Sequence, residues 1–251
     1  MLNKVFNEDC LEGMKRIPDK SIDMILCDLP YGTSACKWDS VIPFELLWEQ
    51  YERVIKDNGA IVLFGNQPFT SKLILSNEKL YKYNWVWVKD NATNFLNKRY
   101  QPGKITEDIC VFGKMATSYS KKGNMVYIPQ VSEGKPYRTT NNVVRRTNAV
   151  IRSTITNVET TNEGTRLPNN ILHFKRDKEK LHPTQKPVAL LEYLIKTYTN
   201  ENEIVLDNCI GSGSTAVACI NTNRKFIGFE LDKGYFDIAN ERISNAYRQV
   251  S

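Results

Sequence analysis

The sequence has few of the residues that hold structural metal ions or covalent cross-links. Only two histidines occur among the 251 residues, and the six cysteines stand singly with no Cys-x-x-Cys pair. A structural zinc site is therefore not expected, and we predict that the chain works without a metal. Scattered single cysteines are typical of reduced thiols in a cytosol rather than of a disulfide framework.

Long apolar runs are missing as well. No stretch approaches the roughly eighteen apolar residues that span a bilayer, and residues 1–4 lack the apolar core of a secretory signal. Hydrophobic residues nevertheless make up 41% of the chain, so a full core is available. We expect a cytoplasmic protein without a membrane anchor, built as one α/β domain with an added element or as two small domains.

Positive charge is concentrated in the middle of the chain. The net charge is +6, but residues 113–180 contain thirteen Lys and Arg against five Asp and Glu, which is +8 and leaves −2 for the remainder. This distribution favours a nearly neutral scaffold with a segment that binds a polyanion. A solvated, flexible insert would give the same pattern. Because helical periodicity is absent there, we expect this segment to be loop-rich.

Short apolar runs alternate with amphipathic stretches on both sides of the basic segment, and seven of them are typical of buried strands. These seven runs are residues 4–6, 22–27, 60–64, 83–89, 105–112, 203–206 and 225–229. The run 105–112 is expected to be antiparallel at an edge. The pattern predicts a doubly wound, mostly parallel seven-stranded sheet, interrupted by the basic loop-rich insert.

The tetrapeptide Asp28-Leu29-Pro30-Tyr31 follows the predicted strand 22–27. Pro30 ends that strand, so an acid and an aromatic ring are presented at its carboxyl end, where ligands bind in open α/β sheets. The carboxylate of Asp28 and the carbonyl of Leu29 or Pro30 can accept both hydrogens of an exocyclic amine, while Tyr31 stacks on its ring. A strand-end turn with a capping aspartate is the alternative interpretation.

A glycine-rich loop near the end of the chain joins a predicted strand to a helix. Gly211 and Gly213 permit a tight turn and close approach of a ligand. Glu230, at the end of the next strand, can bind the ribose hydroxyls of an adenosine. The spacing also fits a dinucleotide site, and a turn that only packs a helix on a strand remains an alternative. Asp207, just before the loop, is suited to an ammonium or ribose group.

The segment from His182 to Pro187 precedes the helix beside this loop. Thr184, Gln185 and Lys186 place hydroxyl, amide and ammonium groups at a helix N-terminus, an arrangement suited to binding a carboxylate. His182 is interpreted as a capping or turn residue, because no second metal ligand accompanies it.

These three stretches, in this order, resemble the amino-group DNA methyltransferases of the β arrangement. In that family a catalytic Asp-Pro-Pro-Tyr motif precedes a variable target-recognition segment, and the S-adenosylmethionine loop comes last. The resemblance implies an S-adenosylmethionine-dependent methyltransferase fold divided into a catalytic half (1–112), a target-recognition insert (113–180) and a cofactor-binding half (181–251). It covers nearly the whole chain outside the basic segment.

The resemblance also implies roles for individual residues. Asp28, Pro30 and Tyr31 are the implied catalytic residues, which hold and stack a flipped base. Nine positions are the implied cofactor contacts: Asp9 and Cys10 at the adenine, Glu230 at the ribose, Asp207, Gly211 and Gly213 at the methionine end, and Thr184, Gln185 and Lys186 at its carboxylate. Candidate DNA contacts are Lys37 and Trp38 beside the catalytic loop and Arg138, Arg145, Arg146 and Arg152 in the basic segment. Trp38 can equally be a core residue.

Two departures from the family pattern stand out. Leu29 occupies a position that is usually proline, but only its backbone carbonyl is needed. Asn208 and Cys209 stand where Pro-Phe is common, so less surface is offered to the cofactor. Asp28 favours adenine N6 over cytosine N4, because serine is commoner at this position in the cytosine enzymes.

The expected activity is therefore methylation of adenine N6 in double-stranded DNA, with S-adenosylmethionine as cofactor and with a homodimer consistent with the family. Cytosine N4 methylation, methylation of RNA or of a protein amide, an NAD-dependent oxidoreductase and a non-catalytic DNA-binding module are the alternatives. The sequence identifies neither the target site nor a partner restriction enzyme.

Overall fold

The computed structural model describes residues 1–32, 40–118, 120–145, 154–178 and 181–250. The chain divides into two compact units, one formed by Met1–Ile128 with Asn170–Ser251 and the other by Pro129–Asn169. The second unit contains fewer residues than the insert 113–180 expected from charge, because residues 113–128 and 170–180 belong to the first unit. The target-recognition role of 113–180 stays a prediction.

The described residues form twelve strands and six α-helices. The strands are β1 (Lys4–Phe6), β2 (Ile22–Cys27), β3 (Ile55–Gly65), β4 (Tyr81–Val88), β5 (Thr106–Phe112), β6 (Ser132–Glu133), β7 (Tyr137–Arg145), β8 (Thr154–Asn162), β9 (Thr165–Arg166), β10 (Ile171–His173), β11 (Ile204–Asp207) and β12 (Lys225–Phe229). The helices are α1 (Cys10–Met14), α2 (Phe44–Val54), α3 (Phe69–Ser76), α4 (Val188–Tyr198), α5 (Ser214–Asn221) and α6 (Lys233–Val250). None of these helices is both long enough and apolar enough to cross a membrane.

Eight of the strands form the central sheet of the first unit, in the order β1-β12-β11-β2-β3-β5-β4-β10. All neighbours are parallel except β5, which runs antiparallel to both β3 and β4. The mostly parallel α/β fold is therefore confirmed. Two details differ: β5 lies inside the sheet rather than at an edge, and β10 is an eighth strand that the sequence pattern did not predict.

Helices cover both faces of this sheet, which explains why β2 is buried at all six positions. Met24 and Leu26 pack in one core cluster with α4, α5 and α6, whereas Ile25 and Cys27 pack in a second cluster with α1, α2 and α3. Full burial of one large apolar side chain contributes about 1.5–3 kcal/mol. This two-sided core fixes the strand ends on which the candidate site is built.

The second unit contains two antiparallel strand pairs, β6 with β9 and β7 with β8. The β7–β8 pair is continuous from Tyr137, opposite Asn162, to Arg145, opposite Thr154. Nine consecutive residue pairs of the insert therefore form a ladder, which the sequence pattern did not predict. Both strands are rich in Thr and Val, whose branched side chains suit a pleated surface.

Candidate functional site

The candidate site lies at the carboxyl ends of the parallel strands, where ligands bind in open α/β sheets. Asp28 follows β2, Asp207 ends β11 and Glu230 follows β12. A cavity of about 410 Å³ opens at this edge, within the range of about 300–1,000 Å³ typical of small-molecule pockets. Tyr31 and Gly211 both line it, so the two ends of the chain share one cleft.

The cavity brings together all but one of the catalytic and cofactor residues predicted from the sequence. Its walls include Asp9, Cys10, Asp28, Pro30, Tyr31, Thr184, Gln185, Lys186, Asp207, Gly211 and Glu230. Gly213 is not among the lining residues; it stands two residues after Gly211, as the N-cap of α5 with a φ of +81°. The structure thus places the predicted residues together, while their individual roles stay predictions.

Asp28 and Tyr31 contact each other directly. The Tyr31 hydroxyl donates to Oδ1 of Asp28 at 2.7 Å, and it also lies 3.2 Å from Oε1 of Glu107. The Tyr31 ring packs against Phe69 with a centroid distance of 4.7 Å and a tilt of 32°. Burial between two carboxylates raises the pKa of Tyr31 well above its ordinary value, so its hydroxyl keeps its proton.

Lys186 makes a contact that the sequence did not predict. Its ammonium group donates to Oδ2 of Asp28 and lies 3.0 Å from Oε1 of Glu107. Lys89 reaches the other oxygen of Glu107 at 2.5 Å. Two carboxylates and two ammonium groups therefore form one buried cluster, which we call the Asp28–Lys186–Glu107–Lys89 cluster.

The pKa shifts in this cluster follow from burial and from the alternating charges. Burial raises the pKa of Asp28, against the lowering effect of Lys186. Burial also disfavours the charged forms of Glu107 and Lys186, but their partners outweigh it. The pKa of Glu107 is lowered by the two lysines, and the pKa of Lys186 is raised by the two carboxylates. Lys186 thus provides the main charge that opposes the rise in the pKa of Asp28.

Backbone geometry shapes the glycine loop. Gly211 has a φ of +53°, a conformation that glycine adopts without strain. Its amide donates to Oε2 of Glu230 at 2.9 Å, and the amide of Asp232 donates to Oε1 at 2.8 Å. These bonds hold the Glu230 carboxylate beside the loop. Each oxygen retains a lone pair that can accept a ribose hydroxyl.

Asp207 is buried at the base of the same loop. Oδ2 accepts from the Thr215 hydroxyl at 2.6 Å, and Oδ1 accepts from the Cys209 amide at 3.1 Å. Burial raises the pKa of this carboxyl to about 6. A buried carboxylate that titrates near neutral pH favours a positively charged ligand when it is ionised.

Asp9 and Cys10 also line the cavity. Asp9 is the N-cap of α1, because its Oδ1 accepts from the amides of Leu11 at 2.8 Å and Glu12 at 3.2 Å. Asp9 thus caps α1, while its adenine contact stays a prediction. Cys10 lies 3.5 Å from the side-chain nitrogen of Asn208, which links this part of the cavity to the glycine loop.

The segment before α4 completes the cavity. Thr184 bonds to Nδ1 of His182 through both its amide and its hydroxyl. The His182 ring packs edge-on against Tyr235 at 4.1 Å, and burial lowers the pKa of His182 to about 4. Gln185 accepts from the Ser212 hydroxyl at 3.3 Å, which ties this segment to the glycine loop.

The predicted DNA contacts are described only in part. Lys37, Trp38, Arg146 and Arg152 lie outside the described residues, and for Arg145 the structure gives only its backbone in β7. Arg138 pairs with Glu159 across the β7–β8 ladder at 2.6 Å. None of these candidates is tested, and each stays a prediction.

The polar groups around the cavity fit an adenosine-bearing cofactor. Glu230 suits a ribose, Asp207 suits a cationic centre, and the left-handed glycine leaves room for close approach. Within the described part of the chain, no group of three or more His, Cys, Asp or Glu side chains could hold a metal ion. The same cavity is lined by Gly211, near which a cofactor fits, and by Asp28, whose carboxylate can accept hydrogen bonds.

Comparison with known proteins places this arrangement in a family. A family model described as DNA methylase matches residues 22–241. The chain is 28% identical over 262 residues to the type II methyltransferase M.HpaI of Haemophilus parainfluenzae, covering 98% of this chain and 76% of that protein. It is 29% identical over 262 residues to the DNA adenine methyltransferase YhdJ of Escherichia coli (strain K12), covering 96% and 83% of the two chains.

A solved structure agrees with these relatives. The crystal structure of an M1.HpyAVI–SAM complex is similar with a TM-score of 0.59 at 25% identity, covering 95% of this chain and 98% of that chain. The residues that the family model matches run from the strand before Asp28 through the glycine loop and Glu230 into the last helix. The chain therefore belongs to the amino-group DNA methylase family.

Proposed function

We propose that this DNA methylase transfers a methyl group from S-adenosylmethionine to the N6 amine of an adenine extruded from duplex DNA. One observation carries the proposal: the Asp28 carboxylate, Gly211 of the glycine loop and the Glu230 carboxylate line the same cavity at the carboxyl edge of the sheet. A similar protein is named a DNA adenine methyltransferase, and the structure of another similar protein holds S-adenosylmethionine. Both support the choice of adenine and of cofactor.

Asp28 solves the main chemical difficulty of this reaction. The lone pair of an aromatic amine is delocalised into the ring, so the amine is a poor nucleophile. When the Asp28 carboxylate and the carbonyl of Leu29 or Pro30 accept its two hydrogens, they favour a tetrahedral nitrogen with a localised lone pair. Positioning that nitrogen in line with the donor methyl supplies much of the remaining acceleration. Pro30 and Tyr31 bound the space for the base.

S-adenosylmethionine supplies an electrophilic methyl group on a sulfonium when it is bound. Glu230 binds the ribose, Asp9 and Cys10 flank the adenine, and Asp207 with the loop at Gly211 and Gly213 holds the methionine end. Thr184, Gln185 and Lys186 lie where a carboxylate is expected. The shared cavity, which all of these residues except Gly213 line, supports these assignments.

Target recognition is assigned to the basic segment 113–180, between the catalytic half (1–112) and the cofactor half (181–251). Arg138, Arg145, Arg146 and Arg152 would position the phosphate backbone, and Lys37 with Trp38 would assist base extrusion. The expected homodimer and cytoplasmic location stay predictions.

The proposal is tested by expressing the chain in cells without endogenous methylation and sequencing their DNA by a method that reads modified bases. We expect N6-methyladenine at one short sequence motif, and incorporation of labelled methyl groups from S-adenosylmethionine into duplex DNA. N4-methylcytosine would correct the base. Incorporation only into RNA or protein, or none with correctly folded protein, would reject the proposal.

Asp207 gives cofactor binding a predicted pH dependence. Its pKa is raised to about 6 by burial, so the carboxyl is protonated below that pH and ionised above it. A cationic ligand prefers the ionised form, so binding at lower pH must first release a proton. We expect the dissociation constant of S-adenosylmethionine to increase by about tenfold per unit as the pH falls below 6 and to level off above it.

The measurement is calorimetric titration at a series of pH values, with Asp207→Asn as the matched variant. The variant should bind more weakly at neutral pH but lose the dependence. This comparison is needed because burial also raises the pKa of Glu230. If the pH dependence of S-adenosylmethionine binding persists unchanged in Asp207→Asn, it arises from another titrating group.

A further inference from the structure

The loop between β4 and β5, residues 89–105, stands at the same edge of the sheet as Asp28. Thr106 pairs with Val88 and Asp108 pairs with Gly65, so the start of β5 lies beside the ends of β4 and β3. Lys89 and Glu107 form the root of the loop, and Glu107 is part of the cluster that contacts Asp28 and Tyr31. The β4–β5 loop therefore rises beside the catalytic carboxylate.

The stem of this loop is fixed by its own hydrogen bonds. The Asn94 side chain donates to the carbonyl of Pro102 at 3.0 Å and accepts from the amide of Lys104 at 2.6 Å. The Thr93 amide donates to the carbonyl of Lys104 at 3.0 Å. A short 3-10 turn at Phe95–Asn97 and a bond from the Tyr100 amide to the Asn97 carbonyl shape the tip. These hydrogen bonds thus fix the conformation of the stem that carries the tip.

Two large apolar side chains stand at this tip. Leu96 and Tyr100 are each 89% exposed, so both side chains lie in water. Residues 91–105 contain three cations, Lys98, Arg99 and Lys104, and no acid. Exposed apolar groups surrounded by cations match a polyanion that also presents flat apolar surfaces.

We propose that the tip of the β4–β5 loop contacts the DNA duplex at the target base pair, with Leu96 and Tyr100 against the bases that extrusion leaves unstacked and the cations on the flanking phosphates. The inference rests on the proposed function and extends it, because it adds a DNA-binding element outside the basic insert. Apolar wedges and aromatic stacking stabilise unstacked DNA in this way. Charge complementarity favours DNA over a protein partner.

The test compares Leu96→Ala/Tyr100→Ala with Leu75→Ala, a control at another exposed leucine, 68% exposed near the end of α3. Two unmodified duplexes are used, both carrying the sequence motif that the enzyme methylates. One has the normal target pair, and the other has an abasic site opposite the target adenine. The abasic duplex needs less free energy for extrusion. Single-turnover methylation rates and DNA affinities by fluorescence anisotropy are measured on both.

We expect the double variant to lose about tenfold to a hundredfold in rate on the normal duplex and to recover most of this loss on the abasic duplex. Leu75→Ala should match the wild type on both. A double variant that is as fast as the wild type, or equally slow on both duplexes, would overturn the inference. A different oligomeric state of the double variant from that of the wild type, measured by light scattering, would also overturn it, because the tip would then contact a second copy of the chain. If the wild type itself methylates no DNA, the proposed function fails instead.

Discussion

Replacing Asp28 with asparagine is expected to reduce methyl transfer by about 10²–10⁴-fold while cofactor affinity is retained. The carboxylate accepts from the target amine in the proposed mechanism, whereas the asparagine side chain has one acceptor oxygen and no charge. The substitution preserves shape, and Lys186 keeps Glu107 as a partner at 3.0 Å. Single-turnover incorporation of labelled methyl groups measures the rate, and calorimetric titration measures the dissociation constant of the cofactor.

The matched control is Asp57→Asn, which removes a carboxylate from the opposite end of the sheet. Asp57 pairs with Lys20 at 2.9 Å on the surface, and such exposed pairs contribute little to stability. This variant should retain full activity. If Asp28→Asn instead keeps most of its methyl transfer, the amine-holding role of Asp28 is wrong. If it loses cofactor affinity and rate together, Asp28 belongs to the cofactor site.

The parallel core of the fold was predictable because each of its strands is a short apolar run that can be recognised from its own residues. Buried runs such as 22–27 and 225–229 are continuous and apolar, and a helix follows each of them, which favours parallel neighbours. β10 was missed because it is only three residues long and buries a single side chain, Leu172. Its strand character comes from pairing with β4 rather than from its own pattern.

The candidate site was predictable where its residues lie at strand ends. Asp28, Asp207 and Glu230 were located by this rule, and the bond from Gly211 to Glu230 shows how closely the loop and the strand end are joined. Positions could be inferred in this way, because the carboxyl ends of parallel strands converge.

Side-chain pairing was not predictable by the same rule. Lys186 lies 158 residues from Asp28, and Glu107 lies 76 residues from Tyr31. Lys186 was predicted to contact a cofactor carboxylate because it stands at the N-terminus of a helix, and that local pattern gives no information about Asp28. One part of the cluster did have a signal in the sequence. Glu107 at the start of β5 and Lys89 at the end of β4 stand where a buried ion pair can form.

Replacing Lys186 with methionine is expected to shift the pH profile of methyl transfer to higher pH. Lys186 is the main group that lowers the pKa of Asp28, against burial and against the charge of Glu107. Without it the pKa of Asp28 rises further, and protonation of this carboxylate removes the acceptor. An opposite charge this close favours the ionised form of a carboxyl, and we therefore expect a loss of rate at neutral pH that is recovered as the pH is raised.

The same variant separates two roles of Lys186. Breaking a buried ion pair costs about 3–5 kcal/mol in the free energy of unfolding, so folding is checked by circular dichroism, and Lys186→Gln serves as a second, more polar variant. Lys233→Met, which breaks an exposed pair with Asp237, is the control with no expected shift. If the maximal rate and cofactor affinity fall while the pH profile stays in place, Lys186 acts on the cofactor carboxylate. If the profile moves and cofactor affinity is kept, Lys186 is a positioning residue that sets the charge of Asp28.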